Sequence, residues 1–272
     1  MSKVVEVQRD GAVAVVSLNR PDKLNAMSPD VFAGLLEAGR EVEADDAVRA
    51  VVVRGEGRAF SSGLDLATLG GFGEGGQGRE GGGARPSAAQ VHSGIPGAQR
   101  SFNIWATMRK PVVAAVHGYA LGAGFQLALA CDIRICADDA VLSVFEITYG
   151  LVPDLGATQR LPRLVGAGRA KELIWTARKI SADEADRWGI VNRVVAVRQL
   201  QKEAMELAQD LASRPPLPIR YSKELVDLAG RVPAEEGMLG EATAQAFCLT
   251  SNDVREAVAA AFEKRPGTYT GT

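Results

Sequence analysis

Lys110-Pro111-Val112-Val113-Ala114-Ala115-Val116-His117-Gly118-Tyr119-Ala120-Leu121-Gly122-Ala123-Gly124-Phe125-Gln126 is the stretch on which the reading of this chain turns. A β-branched apolar run ends, the chain turns, and a glycine pair opens an expected amphipathic helix. Small residues at 122–124 leave backbone N–H groups bare at the positive end of a helix dipole, which favours a negative oxygen. Upstream, the small-residue loop Ala59-Phe60-Ser61-Ser62-Gly63-Leu64-Asp65 follows another strand-like run, Ala50-Val51-Val52-Val53. Two strand ends, each delivering one backbone donor, can together hold one developing oxyanion.

Outward from that stretch the pattern is α/β. Residues 4–7 and 12–18 alternate or run apolar around Asp10-Gly11, a hairpin signal. Ser28-Pro29 fits an N-cap and first-turn proline for a helix reaching about residue 43. Strand, helix and strand then alternate to residue 140, favouring a largely parallel sheet. The Gly-rich run 70–83 interrupts this, and 70–95 reads as a mobile loop with a short helix near 87–92. That loop is either a tolerated surface insertion or a lid beside the 59–66 loop. Beyond 156 helices dominate. Ser181-Ala182-Asp183-Glu184 has the form of a capping box, and apolar stripes recur over 198–213, 217–229, 234–249 and 252–264. The expected division is a core over 1–195 and a helical region over 196–272.

Composition narrows the function classes. At 272 residues, 46% hydrophobic and 24% charged, the chain can bury a large core without metals or disulfides. A net charge of −2 makes no electrostatic case for nucleic acid or an acidic membrane surface. Cys131, Cys136 and Cys248 form no CxxC pair, which suits a reducing compartment. His92 and His117 alone give a metal little to bind, so no metal is expected. No long apolar core marks Met1-Ser2-Lys3-Val4-Val5-Glu6 as a signal peptide, and no apolar stretch is long enough for a membrane span. The expectation is a cytoplasmic protein.

Glu146 follows the strand-like run 141–145 among apolar neighbours, a setting that raises a carboxyl pKa and suits a group that takes and gives protons. Asp154 lies across a Gly/Pro turn and can approach the same cavity. A structural ion pair for Glu146 and an N-cap for Asp154 are the plainer readings. Gly122-Ala123-Gly124 is an incomplete dinucleotide fingerprint because the third glycine position is Leu127; close packing is its alternative. Ser61-Ser62-Gly63 approaches a nucleophile elbow without its first glycine, and neither histidine lies late enough for that triad order. His117 reads as a turn or core histidine.

Several motifs together resemble the enoyl-CoA hydratase/isomerase, or crotonase, family. They are Leu18-Asn19-Arg20-Pro21 with Leu24-Asn25-Ala26, Ala59 through Leu66, Lys110 through Asp132, Glu146 with Gly150-Leu151-Val152-Pro153, Thr158-Gln159-Arg160-Leu161, and Ala261-Phe262-Glu263-Lys264-Arg265. The resemblance implies a spiral of ββα units and a C-terminal helical region that trimerises, with trimers often pairing into hexamers. It also implies a CoA thioester as substrate, in fatty-acid metabolism, and no separate cofactor. It places the two oxyanion-hole amides on Ser62 and Ala123, and the CoA cradle around Lys23, Leu24 and Ala26 with Ala59, Ser61 and Asp65. Gly63, Leu64, Leu66, Tyr119, Leu121 and Gly122 complete the implied substrate contacts. Of the two glutamates with which the family's hydratases handle water, one matches Glu146 and the other Gln126. An amide holds a water but cannot take its proton. The expected reaction is therefore double-bond isomerisation through Glu146 with Asp154 assisting. Hydration of a 2-enoyl-CoA and non-catalytic acyl-CoA binding are the alternatives.

Overall fold

The computed structural model describes residues 3–68 and 87–272. Strands β1 (Val5–Asp10) and β2 (Val13–Leu18) pair antiparallel, with Asp10 opposite Val13. The turn therefore falls on Gly11 and Ala12, one residue later than the Asp10-Gly11 signal suggested, and Gly11 takes φ +58°. Next come β3 (Ala50–Gly55), β4 (Val112–Val116), β6 (Ile133–Ala137) and β9 (Arg193–Val195), all parallel, in the order β1-β2-β3-β4-β6-β9. Every residue of β2 and β4 is buried. That follows from unbroken Val/Ala runs in a sheet covered on both faces.

Between turns of the large sheet the chain contributes short segments to a second one. Its strands are β5 (Tyr119–Leu121), β7 (Val141–Ser143) and β8 (Ile180–Ser181), in the order β5-β7-β8. Single bridges Ser61–Ala120 and Met27–Leu64 extend this ladder. Each turn of the spiral thus lays one segment in each sheet, with a helix closing the turn. These helices are α1 (Pro29–Ala44), α2 (Ala88–Thr107), α3 (Ala123–Ala130) and α4 (Ala157–Thr176), with the short α5 (Ala182–Arg187) following β8. The second sheet and its bridges bring the 59–65 loop, the 119–123 turn and the start of the 146 segment side by side.

Four expectations change. Helix α3 is buried at all eight positions rather than amphipathic, because its Ala, Leu and Phe residues sit inside the main core. The short helix expected near 87–92 is the start of the long helix α2, which Ser87 caps in a capping box with Gln90 and which takes in residues 88–95; the 70–83 run lies outside the described residues. Ser181 accepts the Glu184 N–H as expected, but the Glu184 carboxylate turns to Arg178 at 2.8 Å instead of closing the box. Helix α6 (Leu200–Ala212) packs Leu200, Ala204 and Ala208 onto the second face of the large sheet. It therefore belongs with the core, not with the helices that follow.

Those helices are α7 (Pro216–Leu228), α8 (Ala234–Thr250) and α9 (Asn252–Glu263). Neither α7 nor α8 buries a residue, and Val226, Met238, Leu239, Phe247 and Phe262 stand exposed. Among the described residues no helix is long and apolar enough to cross a membrane. Burial pushes the Cys131 and Cys136 thiols up to about 12, so both behave as small apolar groups.

Candidate active site

Glu146 opens a short 3-10 turn (Glu146–Tyr149) separated from the end of β7 by two residues. Its Oε1 accepts the Gln126 Nε2–H at 2.7 Å. Its Oε2 is buried with no hydrogen-bond partner among the described residues. Burial raises the carboxyl above its ordinary range, the Gln126 amide pulls it partway back, and the Asp154 charge adds to the rise. An unpartnered buried carboxylate oxygen is costly, and such cost concentrates where a site handles protons.

Gln126 is fully buried on α3. Its Oε1 accepts two backbone N–H groups, from Leu155 at 2.9 Å and Ala157 at 3.0 Å. The segment carrying Asp154 is thereby fixed against α3. Asp154 is no N-cap, since Gly156 takes that position. Its backbone oxygen accepts the Gln99 side-chain amide at 2.8 Å, and burial raises its carboxyl.

The backbone donors are arranged by strand parity. Met27 N–H donates to Gly63 O and Asp65 N–H to Met27 O. Leu64, between them, must point its own N–H the other way, and that N–H has no acceptor among the described residues. Ser62, by contrast, gives its N–H to Leu24 O at 2.9 Å. The assignment of an oxyanion-hole amide to Ser62 is therefore corrected by the hydrogen-bond direction, and Leu64 supplies the free donor of this loop. Ala123 is the first residue of α3 and its N–H is likewise free.

Glycine makes this proximity possible. Gly63 has φ +95°, and a Cβ there would lie 2.7 Å from Leu121 O and 3.8 Å from Ala123 N. Gly122 has φ +50°, and its Cβ would lie 3.2 Å from Glu146 Oε1. The two free donors and the carboxylate thus line one neighbourhood. Gly124 explains itself by packing: a Cβ there would meet Ser61 O at 2.6 Å.

Of the implied substrate contacts, Lys23, Leu66 and Tyr119 are exposed, and Leu24, Leu64, Asp65 and Leu121 are partly so. Ala59 and Ser61 are wholly buried, and their side chains support the loop from behind. Ser61 Oγ donates to Asn25 O at 2.8 Å and accepts the Gly63 N–H at 3.2 Å. Ala26 is nearly buried, and its carbonyl accepts from Arg20 at 2.6 Å. Gly122 donates its N–H to Ser143 O at 2.8 Å, so it contributes space and not a donor.

Two residues of the Leu18–Pro21 and Leu24–Ala26 motifs act as scaffold, a role that the motifs did not assign to them. Asn25, left-handed at φ +54°, accepts from Arg20 N–H at 2.8 Å and donates to Glu56 O and Ala59 O at 2.9 and 2.7 Å. Arg20 also grips Asp65 through two nitrogens, each at 3.0 Å, and the Ala67 backbone and Arg20 hold the Asp65 carboxyl below its ordinary range. The polar residues just after β2 were the available signal. His117 is a turn residue whose Nε2 meets Gly57 O at 3.0 Å. Among the described residues no cluster of His, Cys, Asp and Glu could hold a metal ion.

The model of the enoyl-CoA hydratase/isomerase family matches residues 8–272. A crotonyl-CoA hydratase from Syntrophomonas wolfei is 35% identical over 264 residues, 97% of this chain and 96% of that protein. The peroxisomal Delta(3,5)-Delta(2,4)-dienoyl-CoA isomerase of Arabidopsis thaliana is 34% identical, covering 97% of this chain and 94% of that protein. A protein from Thermobifida fusca YX, solved in complex with CoA, superposes with a TM-score of 0.81 at 40% identity, over 91% of this chain and 93% of that one. With the spiral fold, the paired free N–H groups and the buried carboxylate already described, this chain belongs to the enoyl-CoA hydratase/isomerase family.

Proposed function

We propose that this chain shifts the carbon–carbon double bond of an enoyl-CoA thioester of fatty-acid metabolism, with Glu146 carrying the proton between carbons. Glu146 Oε2 removes a proton from the carbon beside the thioester carbonyl of a 3-enoyl-CoA. The electron pair moves to the carbonyl oxygen, and the Leu64 and Ala123 N–H groups stabilise that charge more in the dienolate than in the starting thioester. Loss of one such donor typically costs about 2.7–4 kcal/mol of barrier. Glu146 then returns the proton to the far carbon of the dienolate, giving the conjugated 2-enoyl-CoA. No co-reactant is consumed.

One observation carries this reading: the unpartnered Oε2 of Glu146 lies on a carboxylate packed against Gly122, one residue from the free Ala123 N–H. Gln126 cannot take a proton, so the site offers Glu146 as its one strong base, with the Asp154 charge raising its basicity. Hydration of a 2-enoyl-CoA is the competing reading, because relatives include a crotonyl-CoA hydratase. Separate incubations with a 3-enoyl-CoA and a 2-enoyl-CoA decide between them. The proposal expects isomer from the first and slow hydration of the second, and the reverse ranking overturns it.

The CoA moiety would lie along Lys23, Leu24, Leu66 and Tyr119, consistent with a CoA-bound neighbour of this fold. The exposed apolar residues of α7–α9 would pack between copies as a homotrimer, or as a hexamer of two trimers. A monomer by light scattering at micromolar concentration would contradict that assembly.

A further inference from the structure

The side chain at 126 does more than leave a base out. We propose that Gln126 is a positioning residue that holds Glu146 in one orientation, so that Oε1 is permanently occupied and Oε2 alone takes and returns the proton. The inference rests on Glu146 being the proton carrier, as proposed above, and goes beyond it by assigning which oxygen works and what enforces it.

The orientation of the amide is determined by its neighbours. Two backbone N–H groups, from Leu155 and Ala157, point at one atom of the Gln126 head group. Only the carbonyl oxygen can accept both. The NH₂ end is therefore directed at Glu146 Oε1, at 2.7 Å. Full burial on α3 removes the option of swinging into solvent. Gly122 leaves room beside Oε1, where any Cβ would press at 3.2 Å. The carboxylate is held at one end and unpartnered at the other.

Glutamate at 126 would behave differently. One of its oxygens could keep the Leu155 and Ala157 N–H groups, but the other would face Glu146 Oε1 at hydrogen-bond distance. Two carboxylates so close cannot both ionise, and they would titrate as a coupled pair sharing a proton. With glutamine the partner is a permanent donor, and the more distant Asp154 carboxyl is the titratable neighbour left to Glu146.

The test follows the Glu146 carboxyl directly in the full-length protein. Carbon-13 labelling of glutamate side chains, with E146Q identifying the resonance, gives its titration curve in the wild type, Q126M and Q126E. The proposal expects one dominant step in the wild type, since only the Asp154 charge acts on it beside the Gln126 donor. It expects a midpoint at least one pH unit higher in Q126M, which lacks the donor. In Q126E it expects two coupled steps, the upper above the wild-type midpoint. The acid limb of kcat should move by the same amount, so that a one-unit shift lowers turnover at the wild-type midpoint about fivefold while KM changes little. Q126E keeps the acceptor for both backbone N–H groups, so it decides the matter should Q126M fail to fold. Identical Glu146 curves in the wild type and Q126E overturn the tether. Shifted curves in a protein that isomerises no enoyl-CoA keep the tether and overturn the proposed reaction instead.

Discussion

Two half-hidden carboxylates on neighbouring turns of the spiral make opposite use of burial. Asp132 follows α3, and its Oδ2 accepts the Val112 N–H at 2.7 Å and the Lys223 ammonium at 2.9 Å. Lys223 in turn donates to Lys110 O at 3.1 Å, tying α7 to the core. Glu146 receives one amide on Oε1 and leaves Oε2 with no partner among the described residues. Burial raises both acids, but at Asp132 the facing lysine opposes the rise, while at Glu146 the nearby Asp154 adds to it. A carboxylate surrounded by donors is a joint. One deprived of them, beside bare backbone N–H groups, is a base held ready.

Substitutions can break this contrast. The largest effect is expected for E146Q, with kcat for isomerisation falling roughly 10²–10⁴-fold while CoA binding persists, as steady-state kinetics and calorimetry would show. Next is D132A, which leaves the Lys223 charge without its carboxylate. Breaking a buried pair in this way costs about 3–5 kcal/mol, read as a lower denaturant midpoint, with kcat of the folded protein nearly unchanged. A catalytic loss at D132A without a stability loss would erase the distinction. G122A comes third. Its methyl would press on Glu146 Oε1 from a left-handed backbone, at a cost on the order of 1–3 kcal/mol in stability, and kcat should fall more than KM changes.

The smallest effect sharpens the comparison through pH. Glu146 has its folded pKa raised above 4.5. The protonated form therefore contributes stability below the unfolded value, and that contribution is lost as pH rises through the folded value. E146Q cannot ionise, so it should match the wild type in acid and melt higher than it as pH rises past the Glu146 midpoint. Thermal melts across that range check the sign. A wild type that gains stability over E146Q with rising pH would contradict the raised pKa.

Much of this was legible before any coordinates. The Val/Ala runs of β2, β3 and β4 announce a doubly covered parallel sheet, and glycines beside acidic or small residues mark the turns that hold the site. Direction was harder to read. Ser62 and Leu64 sit on the same loop, and which of them has a free N–H depends on the Met27–Leu64 bridge, a contact between distant segments. Gln126 showed itself as a missing acid, while its three hydrogen bonds needed the Leu155–Ala157 turn folded against α3. A short helix was expected near 87–92, but its continuation to Thr107 was not, because the 70–95 stretch as a whole read as a loop. Helix α3 carries one polar side chain, Gln126, and no polar face, which is the mark of a buried helix rather than an amphipathic one.

The most direct measurement follows deuterium from solvent. A 3-enoyl-CoA incubated in D₂O with the wild type and with E146Q, and followed by proton NMR, reports abstraction and return at the two carbons of the shift. The account expects the wild type to form 2-enoyl-CoA, with substrate hydrogen carried to the far carbon and deuterium entering only where the Glu146 carboxyl exchanges with solvent before the return, and folded, CoA-binding E146Q to show neither isomerisation nor exchange. Isomerisation and exchange that survive in E146Q at the wild-type rate would contradict a proton carried by Glu146.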